Sequence, residues 1–428
     1  MRAQPDVLVV GGGPAGSAAA FKLAKDGYDV MLVDRARFPR ETVGESLLPS
    51  VWPYLDEMGV SERIAAEGFV RKAGGVVAWG DSLTEISFRD FAYDRPGLHV
   101  ERDAFDALLL DAARGAGVDV REACRAETFA APREGERGEV GLVDEDGARA
   151  RVRPRMLIDA SGQAGFLSRL NNWRKLDSDF RFVSLWGYFE GWRYVGAGGI
   201  VRAMDEIQTH PPMTFVTRLT DWGWAWHIPM RRLTSVGINV PVELYKAESG
   251  KFASTQDYFL AVVARTPILG RLLAEAALAP GGVRAIRDYS YATQEIAGPG
   301  FFIAGDAAGF VDPIFSLGVV LALYSARLAA WATDRTLRDP SQALRNRALY
   351  VAQLSGRYHL ARAMALPSEK SVAGADARRY FNFFSESEKA LMWSAASMTT
   401  RSTNVARTAG DAAAPALKRR ELESLQFS

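Results

Sequence analysis

Cysteine is almost absent from this chain of 428 residues, since Cys124 is the only one. A single thiol excludes an intramolecular disulfide framework, and it also excludes a Cys-x-x-Cys redox pair. Redox proteins that pass electrons through a dithiol of their own are therefore excluded as a class.

An excess of charge of either sign is also missing, because 52 basic residues face 51 acidic ones. This balance gives no indication of a nucleic acid partner. The longest apolar run, residues 317–324, is far shorter than the roughly 20 residues that cross a bilayer. Residues 1–5 are too short and too polar for a signal peptide. We therefore expect a cytoplasmic protein with no membrane partner.

The hydrophobic pattern predicts an α/β fold in more than one part, since the chain is too long for one simple core. Short apolar runs of the buried parallel type occur early, in the middle and late, at residues 6–10, 156–159 and 301–304. Alternating segments between them, at residues 180–193 and 213–240, are typical of antiparallel strands. The sequence thus predicts a discontinuous Rossmann-like domain with an inserted antiparallel sheet.

The boundaries that we predict divide the chain into three parts. The Rossmann-like domain takes residues 1–72, 99–172 and 286–345, the inserted substrate sheet takes residues 73–98 and 173–285, and a helical region takes residues 346–428. We expect a helix over residues 45–58 and a helical pattern throughout from residue 340. Aromatic residues of the tail are expected to pack over the substrate sheet: Tyr380, Phe381, Phe383, Phe384 and Trp393, with Met392 beside them.

A glycine-rich turn follows the first strand and opens a helix. The residues expected to contact a dinucleotide there are Gly11, Gly13, Pro14, Ala15 and Gly16. The glycines allow a tight turn, a close approach of the backbone to a pyrophosphate, and packing of the helix on the strand. Asp34 ends the next strand at the distance where an acid binds a ribose 2′-hydroxyl, which argues against a 2′-phosphate. Arg35 is a candidate for stacking on adenine, with a solvated charge as the alternative.

A second motif distinguishes FAD from NAD. The run GFFIAGDAA at residues 300–308 ends a strand in Gly305-Asp306 and resembles the second FAD motif of the p-hydroxybenzoate-hydroxylase-like flavoproteins. The resemblance implies that Asp306 contacts the ribityl chain and that Arg102 contacts the flavin. It also implies that the helix that follows points its positive end at the flavin.

Four further stretches make the resemblance more specific: GESLLP at residues 44–49, GFVRKAG at 68–74, WAWHIP at 224–229 and DPIFSLGV at 312–319. With these in order over about the first 330 residues, the chain resembles the FAD-dependent halogenases that act on phenols, pyrroles and carrier-tethered substrates. The implied reaction uses FADH2, oxygen and chloride or bromide, in secondary metabolite biosynthesis such as that of antibiotics. No metal site is expected.

The resemblance assigns roles to individual residues. Lys72 would receive hypohalous acid, as a hydrogen-bonding ammonium or as a free amine that forms a haloamine, and burial would favour the amine. From composition alone, Lys72 would be a solvated lysine beside a hairpin. Ser46 and Gly318 would line the cofactor site, and the backbone amides of Leu317 and Gly318 would bind halide. Leu317 departs from the family pattern, in which a small hydroxyl residue is commoner at this position.

The implied pocket wall consists of Trp224, Trp226, Pro229 and Phe315. The two tryptophans lie two residues apart and share one face of a strand, where they also suit a core pair. The resemblance implies that they keep substrate away from the flavin and so suppress hydroxylation. His227 faces the other way and is interpreted as structural.

Two other functions stay open at this point. A flavin monooxygenase or prenyl-type reductase of the same fold would not need Lys72, and a flavin-binding sensor would not turn over. No second nucleotide-binding turn follows a strand, so a separate flavin reductase is expected to supply FADH2. The substrate is a free aromatic molecule or one linked to an acyl or peptidyl carrier protein, and the sequence favours neither.

Overall fold

The structure is a computed structural model that describes residues 4–79, 82–133, 136–220, 223–365, 387–391, 394, 418–421, 426 and 427. The predicted aromatic cluster of the tail at residues 380–384, 392 and 393 lies outside the described residues.

A six-stranded, largely parallel sheet forms the first layer, as predicted. Its strands, from one edge to the other, are Ala297–Gly298, Phe301–Ile303, Met156–Asp159, Val7–Val10, Val30–Val33 and Asp119–Arg121. Only the first pair is antiparallel. The inner strands are buried along their whole length, which explains their unbroken apolar runs.

Helices cover this sheet and extend beyond it. Their bounds are Pro14–Lys25, Trp52–Glu57, Ser61–Ala66, Arg102–Gly115, Phe166–Leu170, Val242–Ser249, Thr255–Arg265, Pro267–Leu272, Gly318–Arg338 and Ala343–Ala365. Residues 387–391 are helical as well. Single turns of 3-10 helix include Pro49–Val51, Phe88–Phe91, Gly305–Ala307 and Pro313–Phe315.

A nine-stranded, mostly antiparallel sheet forms the second layer. Its path runs through Ala277–Leu278, Phe182–Glu190, Thr234–Pro241, Trp224–Pro229, Met213–Arg218, Gly74–Trp79, Ser82–Ser87 and Lys418–Glu421, and Arg284–Arg287 also pairs with Phe182–Glu190. Apart from Lys418–Glu421 and the end of Arg284–Arg287, these strands lie within the segments predicted to form the inserted sheet. The fold class of a Rossmann-like domain with an inserted sheet and a helical C-terminal region is therefore confirmed, while the domain boundaries stay a prediction.

Four small sheets complete the description. Three of them consist of Cys124–Ala130 with Glu139–Asp144 and Arg149–Val152, of Arg174–Leu176 with Tyr291–Thr293 and Gly309–Phe310, and of Arg193–Val195 with Ile200–Ala203 and Gln426–Phe427. The fourth, which we call the site sheet, has the order Ser46–Leu47, Gly97–His99 and Val70–Lys72.

Two local predictions are wrong. The helix expected from residue 45 begins only at Pro49, because Ser46–Leu47 pairs with Gly97–His99 as a strand. The pattern after residue 340 is not helical throughout, since residues 418–421 add a strand to the nine-stranded sheet. In both places the pairing partner is distant in sequence, and local periodicity carries no information about it.

No helix among the described residues is long and apolar enough to span a bilayer.

Candidate active site

The glycine turn and the Gly305 motif meet at one point between two helix N-termini. An ideal Cβ on Gly16 would lie 1.8 Å from the carbonyl oxygen of Gly11, so the helix packs against the turn at backbone distance. A Cβ on Gly305 would lie 3.0 Å from Ala15 and 3.7 Å from Ala322. Gly305 therefore lies between the N-terminal parts of the helices Pro14–Lys25 and Gly318–Arg338, whose positive ends suit an anionic ligand.

Asp34 is buried against the glycine turn. Its carboxylate accepts hydrogen bonds from the amide of Gly12 at 2.7 Å and from the amide of Ala36 at 2.8 Å. These bonds fix the carboxylate at the carboxyl end of its strand, where the sequence predicts a ribose contact. Arg35, beside it, is exposed at the surface. Its stacking on adenine stays a prediction.

Asp306 and Arg102 form the charged part of the predicted flavin site. Burial raises the pKa of Asp306 to about 6, and the positive charge of Arg102 opposes that shift. Arg102 is nearly buried and donates two hydrogen bonds to Asp106, at 2.9 and 3.1 Å, and one to the carbonyl of Val43 at 2.9 Å. The guanidinium is thus held in place at the start of its helix, beside the loop that leads to Ser46.

The site sheet explains how Lys72 and Ser46 meet. His99 is the pairing partner of both Ser46 and Val70, and Lys72 follows two residues after Val70 on the same face. Lys72 is paired with Gly97, where an ideal Cβ would lie 3.3 Å from the Lys72 Cδ. Because Gly97 has no side chain, the methylene groups of Lys72 can occupy the space beside it.

Lys72 is buried, with 4% of its surface exposed, so it is not the solvated lysine that composition favours. Its Nζ donates to the Ser46 Oγ at 2.9 Å and lies 5.3 Å from the ring centre of Phe88. No carboxylate of the described residues forms a salt bridge with it. Burial accordingly lowers the pKa of Lys72 to about 7. Near neutral pH the side chain is therefore present both as ammonium and as free amine.

The predicted wall residues form one apolar cluster on the inserted sheet. Trp224 and Trp226 share a face of their strand, with ring centres 5.8 Å apart, and they pack with Ile314 and Phe315. Pro229 ends the same strand and is buried. His227 lies on the opposite face, against Trp192, and burial lowers its pKa to about 4. The tryptophans thus pack against the segment that leads to Leu317 and Gly318.

Substituting Gly237 by alanine should displace this wall. Gly237 is the pairing partner of Trp226, and an ideal Cβ would lie 2.1 Å from the indole ring. We expect G237A to lower the free energy of unfolding in urea by about 1–3 kcal/mol, as overpacking does. The matched control is G75A on a nearby strand, where the nearest atom would be 3.7 Å away. Equal losses in the two variants would contradict the close contact.

The chain enters the helix Gly318–Arg338 through a left-handed residue, Ser316, at φ 56°. Leu317 and Gly318 follow, and the first amides of a helix have no partner within it. These amides suit an anion, as the sequence predicts for halide. The Leu317 side chain packs with the apolar cluster around Leu48 and Val320.

Sequence reasoning missed four residues of the site: Arg40, His99, Thr214 and Ser316. Arg40 lies beside Gly13 and forms an ion pair with Asp106 at 3.3 Å. In the sequence, His99 and Thr214 lie 27 and 142 positions after Lys72. They form a hydrogen bond with each other near the Lys72 side chain. No local sequence pattern indicates these two residues. Ser316, in contrast, belongs to the stretch at residues 312–319, one of those on which the resemblance to the halogenases rests.

Comparisons with known proteins indicate an FAD-binding protein. A family model described as "FAD binding domain" matches residues 4–172. A tryptophan 2-halogenase of Chondromyces crocatus is 36% identical over 326 residues, which cover 76% of this chain and 60% of that protein. The chain thus spans less than two thirds of that relative's length.

Two further proteins are similar over more of their length. The 1H-pyrrole-2-carbonyl-[peptidyl-carrier protein] chlorinase of Pseudomonas fluorescens is 33% identical over 355 residues, covering 76% of this chain and 74% of that one. The solved structure of the myxobacterial chondrochloren halogenase CndH, a variant of FAD-dependent halogenases, superposes with a TM-score of 0.75. It has 29% identity, and the match covers 92% of this chain and 97% of CndH.

Proposed function

Since this chain belongs to the family of flavin-dependent halogenases, we propose that it halogenates an electron-rich aromatic ring of the phenol or pyrrole type. The reaction would use FADH2, oxygen and chloride or bromide, and it would serve secondary metabolite biosynthesis. The observation that carries the proposal is the position of Lys72, a buried amine without a carboxylate partner among the described residues.

The residues of the two nucleotide motifs fit FAD. Gly16 packs against the backbone of Gly11, Gly305 lies between the N-terminal parts of two helices, and Asp34 is held beside the turn. The amides of these helix ends would hold the pyrophosphate and Asp34 the ribose. Asp306 and Arg102 would hold the ribityl and flavin portions. Bound reduced FAD would supply, with oxygen, the oxidising equivalents that convert halide to hypohalous acid.

Leu317 and Gly318 would hold the halide through their backbone amides. Leucine in place of a hydroxyl residue leaves these donors intact, because they belong to the main chain. It makes the surrounding space smaller and less polar, which disfavours a hydrated ion. We therefore expect the halide to bind without its full water shell.

Lys72 would accept the oxidised halogen. As a free amine it attacks the halogen of hypohalous acid, forming an N–X bond and releasing water, and the aromatic carbon then takes the halogen and loses its ring proton. As an ammonium it donates a hydrogen bond to the intact acid. A pKa of about 7 makes both forms available near neutral pH. Trp224 and Trp226 would keep the ring away from the flavin.

The partners belong to the same proposal. A separate reductase would deliver FADH2, since the chain has one dinucleotide-binding turn. The substrate is either a free aromatic molecule or an acyl group on a carrier protein, because the similar proteins include a tryptophan 2-halogenase and a chlorinase of a pyrrole on a peptidyl carrier protein.

Mass spectrometry of the reaction products tests the function. Purified protein, FADH2 from an added flavin reductase, oxygen and a panel of free and carrier-linked phenols and pyrroles are incubated with chloride, with bromide or with neither. We expect a product with the isotope pattern of the halide supplied, and none without halide. Oxygen insertion that does not depend on halide would identify a monooxygenase. FAD binding without oxygen consumption above that of free FADH2 would identify a sensor.

A further inference from the structure

A chain of buried hydrogen bonds leads away from Lys72. The Ser46 Oγ, which accepts from Lys72, lies 3.1 Å from the Thr214 Oγ1. The Thr214 Oγ1 lies 2.8 Å from the His99 Nε2, and the His99 Nδ1 lies 2.9 Å from the carbonyl oxygen of Pro229. Apart from Pro229 the path consists of side chains, and every residue on it is at least nine-tenths buried.

A branch of this chain reaches the predicted halide site. The Ser316 Oγ donates to the Ser46 Oγ at 3.0 Å, immediately before Leu317. Ser46 is thus the point where three of the motif stretches meet, those of residues 44–49, 68–74 and 312–319. Pro229, at the far end of the path, belongs to the fourth.

The direction of every hydrogen bond follows from the carbonyl at the end. A carbonyl only accepts, so the His99 Nδ1 carries the proton. Burial, together with the nearby charge of Lys72, holds the pKa of His99 well below its usual range, so the imidazole is neutral. Its Nε2 is then an acceptor, and Thr214 must donate to it. Thr214 in turn accepts the only proton of Ser46.

Ser46 therefore presents lone pairs, and no proton, to Lys72. A group that only accepts stabilises the ammonium and not the free amine, because the amine needs a donor for its own lone pair. Without an onward acceptor, the Ser46 hydroxyl would turn its proton towards the Lys72 nitrogen and favour the amine.

We propose that His99, Thr214 and Ser46 are positioning residues that orient the Lys72 amine and set the balance between its charged and neutral forms. The inference deepens the proposed function, since Lys72 is the group on which that function rests. Two other titratable groups lie close to these residues. Glu45 precedes Ser46 and accepts hydrogen bonds from the Tyr188 hydroxyl at 2.8 Å and from the Gly44 amide. The charge of His227 acts on His99 and lowers the pKa of His99 further.

Substitutions at Thr214 test the proposal. T214V removes the hydroxyl and keeps the shape, while T214S keeps the hydroxyl. The control T217V changes the same residue type on the same strand, where the Thr217 hydroxyl donates a long hydrogen bond to the carbonyl of Arg218, at 3.5 Å. Titration of Lys72 is followed in the FAD-bound protein by 13C NMR of labelled lysine Cε atoms. Nine lysines keep the spectrum simple, and K72M assigns the signal.

We expect T214V to lower the midpoint of the Lys72 titration by about one pH unit, which is the effect of one hydrogen bond to a charged group. T214S and T217V should leave the midpoint where it is in the parent protein. H99F should act like T214V, whereas H99Q should restore the parent midpoint, because its side-chain oxygen can accept from Thr214. Equal midpoints for T214V and T214S would overturn the proposal.

The NMR readout separates this proposal from the proposed function. If the midpoint moves in T214V but no halogenated product forms in the parent protein, the positioning chain stands and the proposed function fails. If halogenation depends on halide but the midpoint stays fixed, the positioning chain fails alone. Where product forms, the pH profile of the rate should move by the same amount as the midpoint.

Discussion

Replacing Lys72 by methionine should abolish halogenation and leave FAD bound. Methionine matches the length of the stem and fits the apolar surroundings of Phe88, but it cannot accept a halogen or donate a hydrogen bond. We expect the rate of product formation to fall by about 10²–10⁴-fold, the contribution of a positioned acid or base group. The measurement is product formation with chloride or bromide, with the flavin absorbance of the purified protein recorded beside it.

The matched control is K175M, because Lys175 lies exposed on the strand Arg174–Leu176, away from the site sheet. K175M should keep the parent rate. A K72M variant that halogenates as fast as K175M would refute the role of Lys72. A variant that loses both product and flavin would instead identify Lys72 as part of the cofactor site.

The same substitution should stabilise the protein at low pH. The pKa of Lys72 is 10.5 in an unfolded chain and about 7 in the folded one, so the folded protein binds this proton less readily. The cost of burying the charge is therefore fully present below pH 7 and disappears as the pH rises to 10.5. We expect K72M to exceed the parent in free energy of unfolding by up to about 5 kcal/mol at pH 6, less the lost contact with Ser46. This advantage should shrink at pH 9.

A constant advantage of K72M across this pH range would mean that the parent stability does not depend on the titration of Lys72. K175M, which replaces an exposed lysine, should show no comparable gain in stability at pH 6. The gain in stability alongside the loss of activity is the pattern of a functional group kept at an energetic cost.

The sequence predicted those parts of the molecule that depend on short-range chemistry. The glycine spacing at residues 11–16, followed by Asp34, indicated a strand, a turn and a helix, and the structure has all three in that order. The spacing of Trp224 and Trp226 placed both on one face for the same reason, since alternation along a strand is a local property.

What the sequence did not predict depends on pairing between distant segments. The two-residue strand Ser46–Leu47 exists only because Gly97–His99 lies beside it, so residues 45–48 looked helical. The burial of Lys72 has the same origin, because Gly97 and Phe88 surround its stem and neither stands near it in the sequence. His99 and Thr214 had no motif to mark them. Their importance follows only from the distances between side chains.

Replacing Gly16 by alanine should have the largest effect on the fold and the cofactor together. Its Cβ would lie 1.8 Å from the Gly11 carbonyl oxygen, and Gly11 cannot move away. Gly11 has a φ of 107°, and a Cβ there would lie 2.3 Å from the carbonyl of Ala160. The helix Pro14–Lys25 must therefore separate from the turn, which moves its amides away from the predicted pyrophosphate site.

We expect G16A to be purified without flavin and to lose about 4–6 kcal/mol of stability. Overpacking accounts for about 1–3 kcal/mol of this loss, and the missing stabilisation by bound FAD for about 3 kcal/mol at a hundredfold excess over its dissociation constant. The measurements are flavin absorbance and urea unfolding with and without added FAD.

G115A is the matched control, since Gly115 ends the helix Arg102–Gly115 and its Cβ would meet no atom within 4 Å. G115A should keep its flavin and gain up to about 1 kcal/mol. Full flavin content in G16A would mean that FAD does not bind at this turn, and the assignment of both nucleotide motifs would fail with it.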